Sequence, residues 1–217
     1  MAGNRGSGME NGKNTGTARM PHAVDNLLAE IRACRICEAH LPLGPRPVVQ
    51  ASATSRLLIV SQAPGRKVHD TGIPFNDVSG ERLREWMGVD KATFYDASRV
   101  AIVPMGFCFP GTGKGGDLPP RPECAPTWHP RLLPLLKQVK LTLVIGQYAQ
   151  AGLLGVARGT RLTDTVQAWR EHLARGHLPL PHPSPRNRLW LVRNPWFETE
   201  LLPVLRERVA NALRTAD

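Results

Sequence analysis

The sequence predicts an α/β fold, a three-layer α/β/α sandwich built on a central parallel sheet of four strands. Three observations carry that prediction. Four short apolar runs, 56–60, 100–103, 141–145 and 178–180, have strand length and no polar alternation, as strands buried on both faces do. Segments with helical spacing of apolar residues separate the runs, which calls for crossovers and therefore for parallel pairing. Two runs end in Pro-containing turns, Ser61-Gln62-Ala63-Pro64-Gly65 and His182-Pro183-Ser184-Pro185. In such sheets the ligand site lies at the carboxyl ends of the strands, where both turns would sit.

The elements follow in order. Residues 1–21 are rich in Gly and Asn with few apolar side chains, so a disordered tail is expected there and a single domain over 22–217. Val24, Leu27, Leu28 and Ile31 fall at helical spacing and lead into Cys34-Arg35-Ile36-Cys37. After the first strand, Ser79 to Met87 reads as a helix with Ser79 as its cap and Leu83 with Trp86 or Met87 inward. The second strand opens into Pro104 to Cys124, a Gly- and Pro-rich stretch too long for a simple connection and so expected to be functional. A short helix at 132–136, the third strand, a helix at 163–173 with Val166 and Trp169 inward, the short fourth strand and a long helix at 196–213 complete the chain.

Composition removes several function classes. Hydrophobic residues make up 41% of the 217, which excludes disorder throughout. The longest apolar runs fall far short of the roughly 20 residues a bilayer needs. Residues 1–21 contain no apolar core of a secretory signal. The expected location is therefore the cytoplasm, of a bacterial type, with the nucleoid as the place of use. The formal charge is +10, and between Arg121 and Arg193 eleven Lys or Arg face three acids. Such a surplus points to a polyanion, most often nucleic acid.

The four cysteines are spaced Cys34-x2-Cys37-x70-Cys108-x15-Cys124. A reducing compartment argues against disulfides. A C-x2-C pair presents two thiolates to one centre and the other two complete four-coordination, for either a structural zinc or a [4Fe-4S] cluster. Gly111-Thr112-Gly113-Lys114-Gly115 invites a phosphate-loop reading that fails, because the pattern needs Gly where Cys108 stands and Ser or Thr where Gly115 stands. Lys114 and the backbone around it remain candidates for contact with DNA phosphates.

Taken together, Ser61-Gln62-Ala63-Pro64-Gly65, the later Thr71-Gly72 and Pro74-Phe75, and His182-Pro183-Ser184-Pro185 resemble motifs one and two of the uracil-DNA glycosylase superfamily. The likeness is to its iron-sulfur (family 4-like) branch above all, which reads G-E-A-P-G and then T-G-R-P-F and has a similar Cys spacing. It runs from about Ala23 to the last helix. The resemblance implies the uracil-DNA glycosylase-like fold and a [4Fe-4S] cluster rather than zinc on Cys34, Cys37, Cys108 and Cys124. It further implies a monomeric, monofunctional enzyme that flips uracil or another deaminated base out of DNA and hydrolyses its N-glycosidic bond, leaving an abasic site. Ser61, Ala63, Pro64 and Gly65 would line the base pocket and Phe75 would stack on the base. His182 would donate to the uracil O2 as negative charge gathers there. Ser184 would meet the adjacent phosphate, with Arg186 and Asn187 at the place where relatives insert a residue into the stack.

Three departures matter. Gln62 and Ala63 stand where relatives carry an acid, so the water-handling carboxylate is missing from motif one; Asp77 is the expected replacement, Asp70 the second choice, and Gln62 itself the third. The stretch 103–107 just before Cys108 carries no side-chain amide where relatives have an Asn, so base reading falls to backbone groups or Asn76, and relaxed specificity is expected. No His lies between Phe109 and Glu123, so no covalent DNA adduct is expected. The competing class is a non-catalytic iron-sulfur DNA-binding module that kept the fold.

Overall fold

The computed structural model describes Met1, residues 20–157 and residues 159–214. The expected tail lies outside them, apart from Met1 and the start of the first helix. In chain order the regular elements are α1 (Met20–Arg32), β1 (Leu57–Val60), α2 (Arg66–Thr71), α3 (Val78–Met87), α4 (Lys91–Tyr95) and β2 (Val100–Ile102). A small hairpin follows, β3 (Thr112–Gly113) and β4 (Gly116–Asp117), then α5 (Cys124–Leu132), β5 (Leu141–Ile145), α6 (Gly146–Leu153), α7 (Leu162–Gln167) and α8 (Trp169–Leu173). The chain closes with β6 (His177–Leu180), α9 (Arg188–Arg193) and α10 (Leu202–Leu213).

β2, β1, β5 and β6 form one parallel sheet in that order, with Leu57 opposite both Val100 and Leu141 and Ile145 opposite Leu180. Side chains alternate between its two faces because the strand period is two. Leu57, Ile59, Ile102, Leu143, Ile145 and Leu180 pack with α3, α8 and α10 on one side. Leu58, Val60, Val103 and Val144 pack with α1, α5 and α6 on the other. Both faces are covered, hence the continuous burial along β1, β2 and β5 and the three layers the sequence predicts. Gln50 bridges Ile102 in antiparallel sense, and its side chain donates to the Val100 carbonyl at 2.8 Å. That contact covers the free edge of β2.

Chain order and strand order part company between β1 and β5: the chain leaves β1 toward β2, then returns to β1's other side. The crevice at that switch point opens at the carboxyl ends of the strands. Motif one leaves β1 there, Tyr148 stands on the first turn of α6 beyond β5, and the His182 turn leaves β6.

The expected elements change in five places. Asp77, not Ser79, caps α3: its carboxylate accepts the Gly80 N–H at 2.8 Å. The long loop contains the hairpin and ends at α5, whose Pro126 sits in the first turn, where no intrahelical donor is needed. The expected helix at 132–136 is only a 3-10 turn, Leu133–Leu135, and that at 163–173 breaks at Ala168. The final helix opens with a π-helical turn, Phe197–Leu201, just ahead of Pro203, which has no N–H to give to the α ladder. Among the described residues no helix is long and apolar enough to cross a membrane.

The basic surplus divides between the two ends of the sheet. Arg186, Arg188 and Arg193 follow the His182 turn, whereas Lys137, Lys140 and Arg175 precede β5 and β6 and so lie at the amino ends. Arg121, Arg161 and Arg170 are paired with Glu123, Asp164 and Glu200. The charge relevant to the crevice is thus a subset of the total.

Candidate active site

A cavity of about 480 Å³ occupies the crevice. Motif one supplies its floor: Ser61, Gln62, Ala63, Pro64 and Gly65 all line it. The backbone of that turn is docked on the segment after β2, with Met105 N–H donating to Ser61 O at 2.8 Å and Gly106 N–H to Gln62 O at 2.9 Å.

Phe75 forms one wall. Its ring packs edge-on against Phe94, at 6.1 Å between centroids and 85° between planes, so the expected stacking residue is also a core residue. Its backbone has φ 52°, the left-handed region, where a bulky residue is an outlier. Two contacts hold it there. Tyr95 Oη donates to Phe75 O at 3.3 Å, and Gly80 leaves room for that same carbonyl, since a Cβ on Gly80 would fall 1.8 Å from it. Strain of this kind persists where the surroundings over-determine it, and it clusters at ligand sites.

His182 faces the cavity from the end of β6. Protein packs around the ring except on its cavity side, and this burial pushes the imidazole pKa below its usual value, against the pull of the Asp77 and Asp117 carboxylates. A neutral ring retains one N–H to donate and leaves no cation to be desolvated. The turn is fixed through its backbone: Asn187 Nδ2 donates to His182 O at 2.7 Å, Arg82 Nη1 to Ser184 O at 3.4 Å and the Arg186 N–H to Ser184 Oγ at 3.3 Å. Asn187 is therefore turned inward to brace the motif. Arg186 reaches across to the hairpin, where Nη1 donates to Gly115 O at 3.1 Å.

Of the expected site residues, Ser61 to Gly65, Phe75, Asp77, His182, Ser184, Arg186 and Asn187 converge on the one cavity. Asn76 and Lys114 are not among its lining residues; Asn76 is half-buried beside Phe75 and Lys114 is exposed at the hairpin turn. Asp70 is drawn away, paired with Arg66 at 3.0 Å. Sequence reasoning missed Tyr148 and Asp117, both of which line the cavity. The available signal for Asp117 was that no other acid occurs between Pro104 and Pro122.

The four cysteines also meet. Cys34 and Cys37 just past α1, Cys108 after β2 and Cys124 at the start of α5 line one small cavity with Phe107, Arg121 and Trp128. All four are free thiols. The Cys124 Sγ accepts the Phe107 N–H at 3.3 Å. Burial, reinforced by the neighbouring thiols, pushes the Cys108 pKa up to about 11 and that of Cys124 to about 12. An amide donor aimed at sulfur is what a thiolate holding a cationic centre needs. Among the described residues no group of three Cys, His, Asp or Glu stands ready to hold a metal ion, so four thiols around one cavity is the extent of what is preformed.

A cavity of this size, with an aromatic wall and a half-buried imidazole, has room for a flat polar ring. The family comparison agrees. The family model described as the uracil DNA glycosylase superfamily matches residues 48–206, and the chain belongs to that family. It is a glycosylase-type hydrolase whose substrate is DNA.

Proposed function

We propose that this enzyme releases uracil, and other deaminated bases, from DNA by hydrolysing the N-glycosidic bond and leaving an abasic site without a covalent adduct. The observation that carries the reading is that His182, Phe75 and the motif-one turn line one cavity. A flipped base stacked on Phe75 presents its carbonyl edge to His182, whose N–H stabilises the negative charge that develops as the bond to the sugar breaks. Ser184 and Arg186 stand at the mouth to meet the phosphates that flank the flipped nucleotide. Asn76 lies off the cavity wall, and the Gln62 and Asn187 amide nitrogens are given to Leu118 O and His182 O, so backbone groups are left to read the base. That is a loose code. Incubation with oligonucleotides carrying one uracil, hypoxanthine or xanthine, followed by alkali, is expected to cut the uracil strand and at least one other. Release of uracil alone defeats the relaxed specificity; retarded migration with no scission on any strand favours the non-catalytic binding module.

We further propose that Cys34, Cys37, Cys108 and Cys124 hold a [4Fe-4S] cluster, supported by the shared cavity and by the Phe107 amide aimed at the Cys124 sulfur. The cluster would act as a cross-link between the end of α1 and the ends of the 108–124 segment, with no redox step in hydrolysis. Protein purified without oxygen is expected to be brown and to carry about four iron and four sulfide per chain, with Cys108→Ser losing most of the iron. A colourless preparation containing zinc overturns this assignment.

A further inference from the structure

Motif one carries no acid, yet hydrolysis needs a group to hold and deprotonate water. The hairpin brings one. Asp117 on β4 pairs in register with Thr112 on β3, and Thr112 Oγ1 reaches Asp117 Oδ1 at 3.4 Å. The other oxygen, Oδ2, lies 3.2 Å from the point a Cβ would occupy on Gly65. The carboxylate thus stands over the motif-one turn, and the glycine there leaves it the space. It lines the same cavity as His182 and Phe75, and its charge is felt at His182.

The hairpin is braced for this task. Arg186 holds it at Gly115, Gln62 Nε2 donates to Leu118 O at 3.4 Å, and the Leu118 N–H donates to Gly111 O at 2.8 Å. A Cβ on Gly116 would fall 1.7 Å from Arg186 Nη1, so the contact requires a glycine. The rival groups are more tightly committed. Asp77 also lines the cavity, but its Oδ1 is given to the α3 cap; Asp70 is paired with Arg66, and the Gln62 amide nitrogen is turned to the hairpin.

We propose that Asp117 is the catalytic carboxylate that positions the hydrolytic water, occupying from the hairpin the place that motif one leaves empty. The electron pair of the C1′–N bond departs with the base, whose charge His182 stabilises. The water oxygen bonds to C1′ of the oxocarbenium-like sugar and its proton passes to Asp117 Oδ2. That proton then leaves to the released base or to solvent, so one water is consumed for each base freed.

The inference rests on the glycosylase reading, and one experiment separates the two. Single-turnover release from the uracil oligonucleotide is measured for the full chain, Asp117→Asn, Asp117→Glu and Asp77→Asn, alongside affinity for the abasic-site product. Asp117→Asn is expected to lose about 10²-fold or more in rate, while its product affinity is unchanged or tighter because a negative charge has left a surface that meets phosphates. Misfolding would weaken both. Asp117→Glu is expected to recover part of the rate. Asp77→Asn keeps the helix cap, since Asn caps as well as Asp, and is expected to lose less than Asp117→Asn. An active wild type with Asp117→Asn within threefold of it, or with the larger loss in Asp77→Asn, overturns the role of Asp117 alone. A wild type that frees no base overturns the glycosylase reading and this role together.

Discussion

Replacing His182 with alanine is expected to lower the single-turnover rate of base release by about 10²- to 10³-fold, the range seen when one preorganised donor to a developing oxyanion is removed. Affinity for abasic DNA should change little, because the turn is held by its backbone: Asn187 donates to the His182 carbonyl, and Arg82 to that of Ser184, and neither contact uses the imidazole. The effect is large because the donor acts in a half-enclosed cavity where water cannot replace it. Burial holds the pKa below the ordinary 6.5, so the ring is expected to be neutral at pH 7, and ring nitrogen shifts in a histidine-labelled sample read this directly, with His182→Ala assigning the signal. Imidazolium shifts at pH 7, or a variant that keeps its rate, would remove His182 from the role.

The second large effect is expected at a residue that touches no substrate. Gly80→Ala places a methyl 1.8 Å from Phe75 O and 2.7 Å from both Phe75 C and Cβ. The obstacle is backbone, so no rotamer relieves it. Either α3 shifts away from the 73–77 segment, losing the Asp77 cap, or Phe75 leaves its left-handed conformation and its seat against Phe94. Overpacking in a tight core costs about 1–3 kcal/mol or somewhat more; at the upper end, a chain of this size loses roughly 6–12 °C in Tm. Thermal unfolding measures the loss, and the surviving folded protein should show a raised KM because the aromatic wall has moved. An alanine variant with wild-type Tm and KM would mean that the strained geometry at Phe75 is dispensable.

Much of this architecture is legible in the sequence, for reasons that differ by residue. The strands were readable because a parallel strand buried on both faces leaves an unbroken apolar run, as Leu57 to Val60 and Leu141 to Ile145 do. His182 and motif one were readable because a turn at a strand end needs Pro and Gly at fixed offsets. The short helices were not. α2, α6 and α9 span six to eight residues, too few for a period to emerge, and α5 contains Pro126 and Pro130, which read as loop. The cap of α3 was misplaced because Asp77 and Ser79 are both good caps and only tertiary position chooses. Asp117 was hidden most deeply. Nothing local marks an acid after two glycines as facing a cavity, since its placement over Gly65 depends on a hairpin that packs against a turn some fifty residues earlier.

The hairpin also has a bearing on how such an enzyme diversifies. Cys108 and Cys124 line the same small cavity, so the segment between them begins and ends at nearly one point of the framework. Such a segment behaves as a cassette between two posts. Lengthening it adds closure entropy only logarithmically, about 0.6 kcal/mol per doubling, and leaves the sheet and its helices undisturbed. Residues carried on the cassette reach the crevice from above, independently of the motifs built into the strand ends. New chemistry at the pocket mouth is therefore open to insertion, deletion and grafting, while His182 and Phe75 stay bound to the core that positions them.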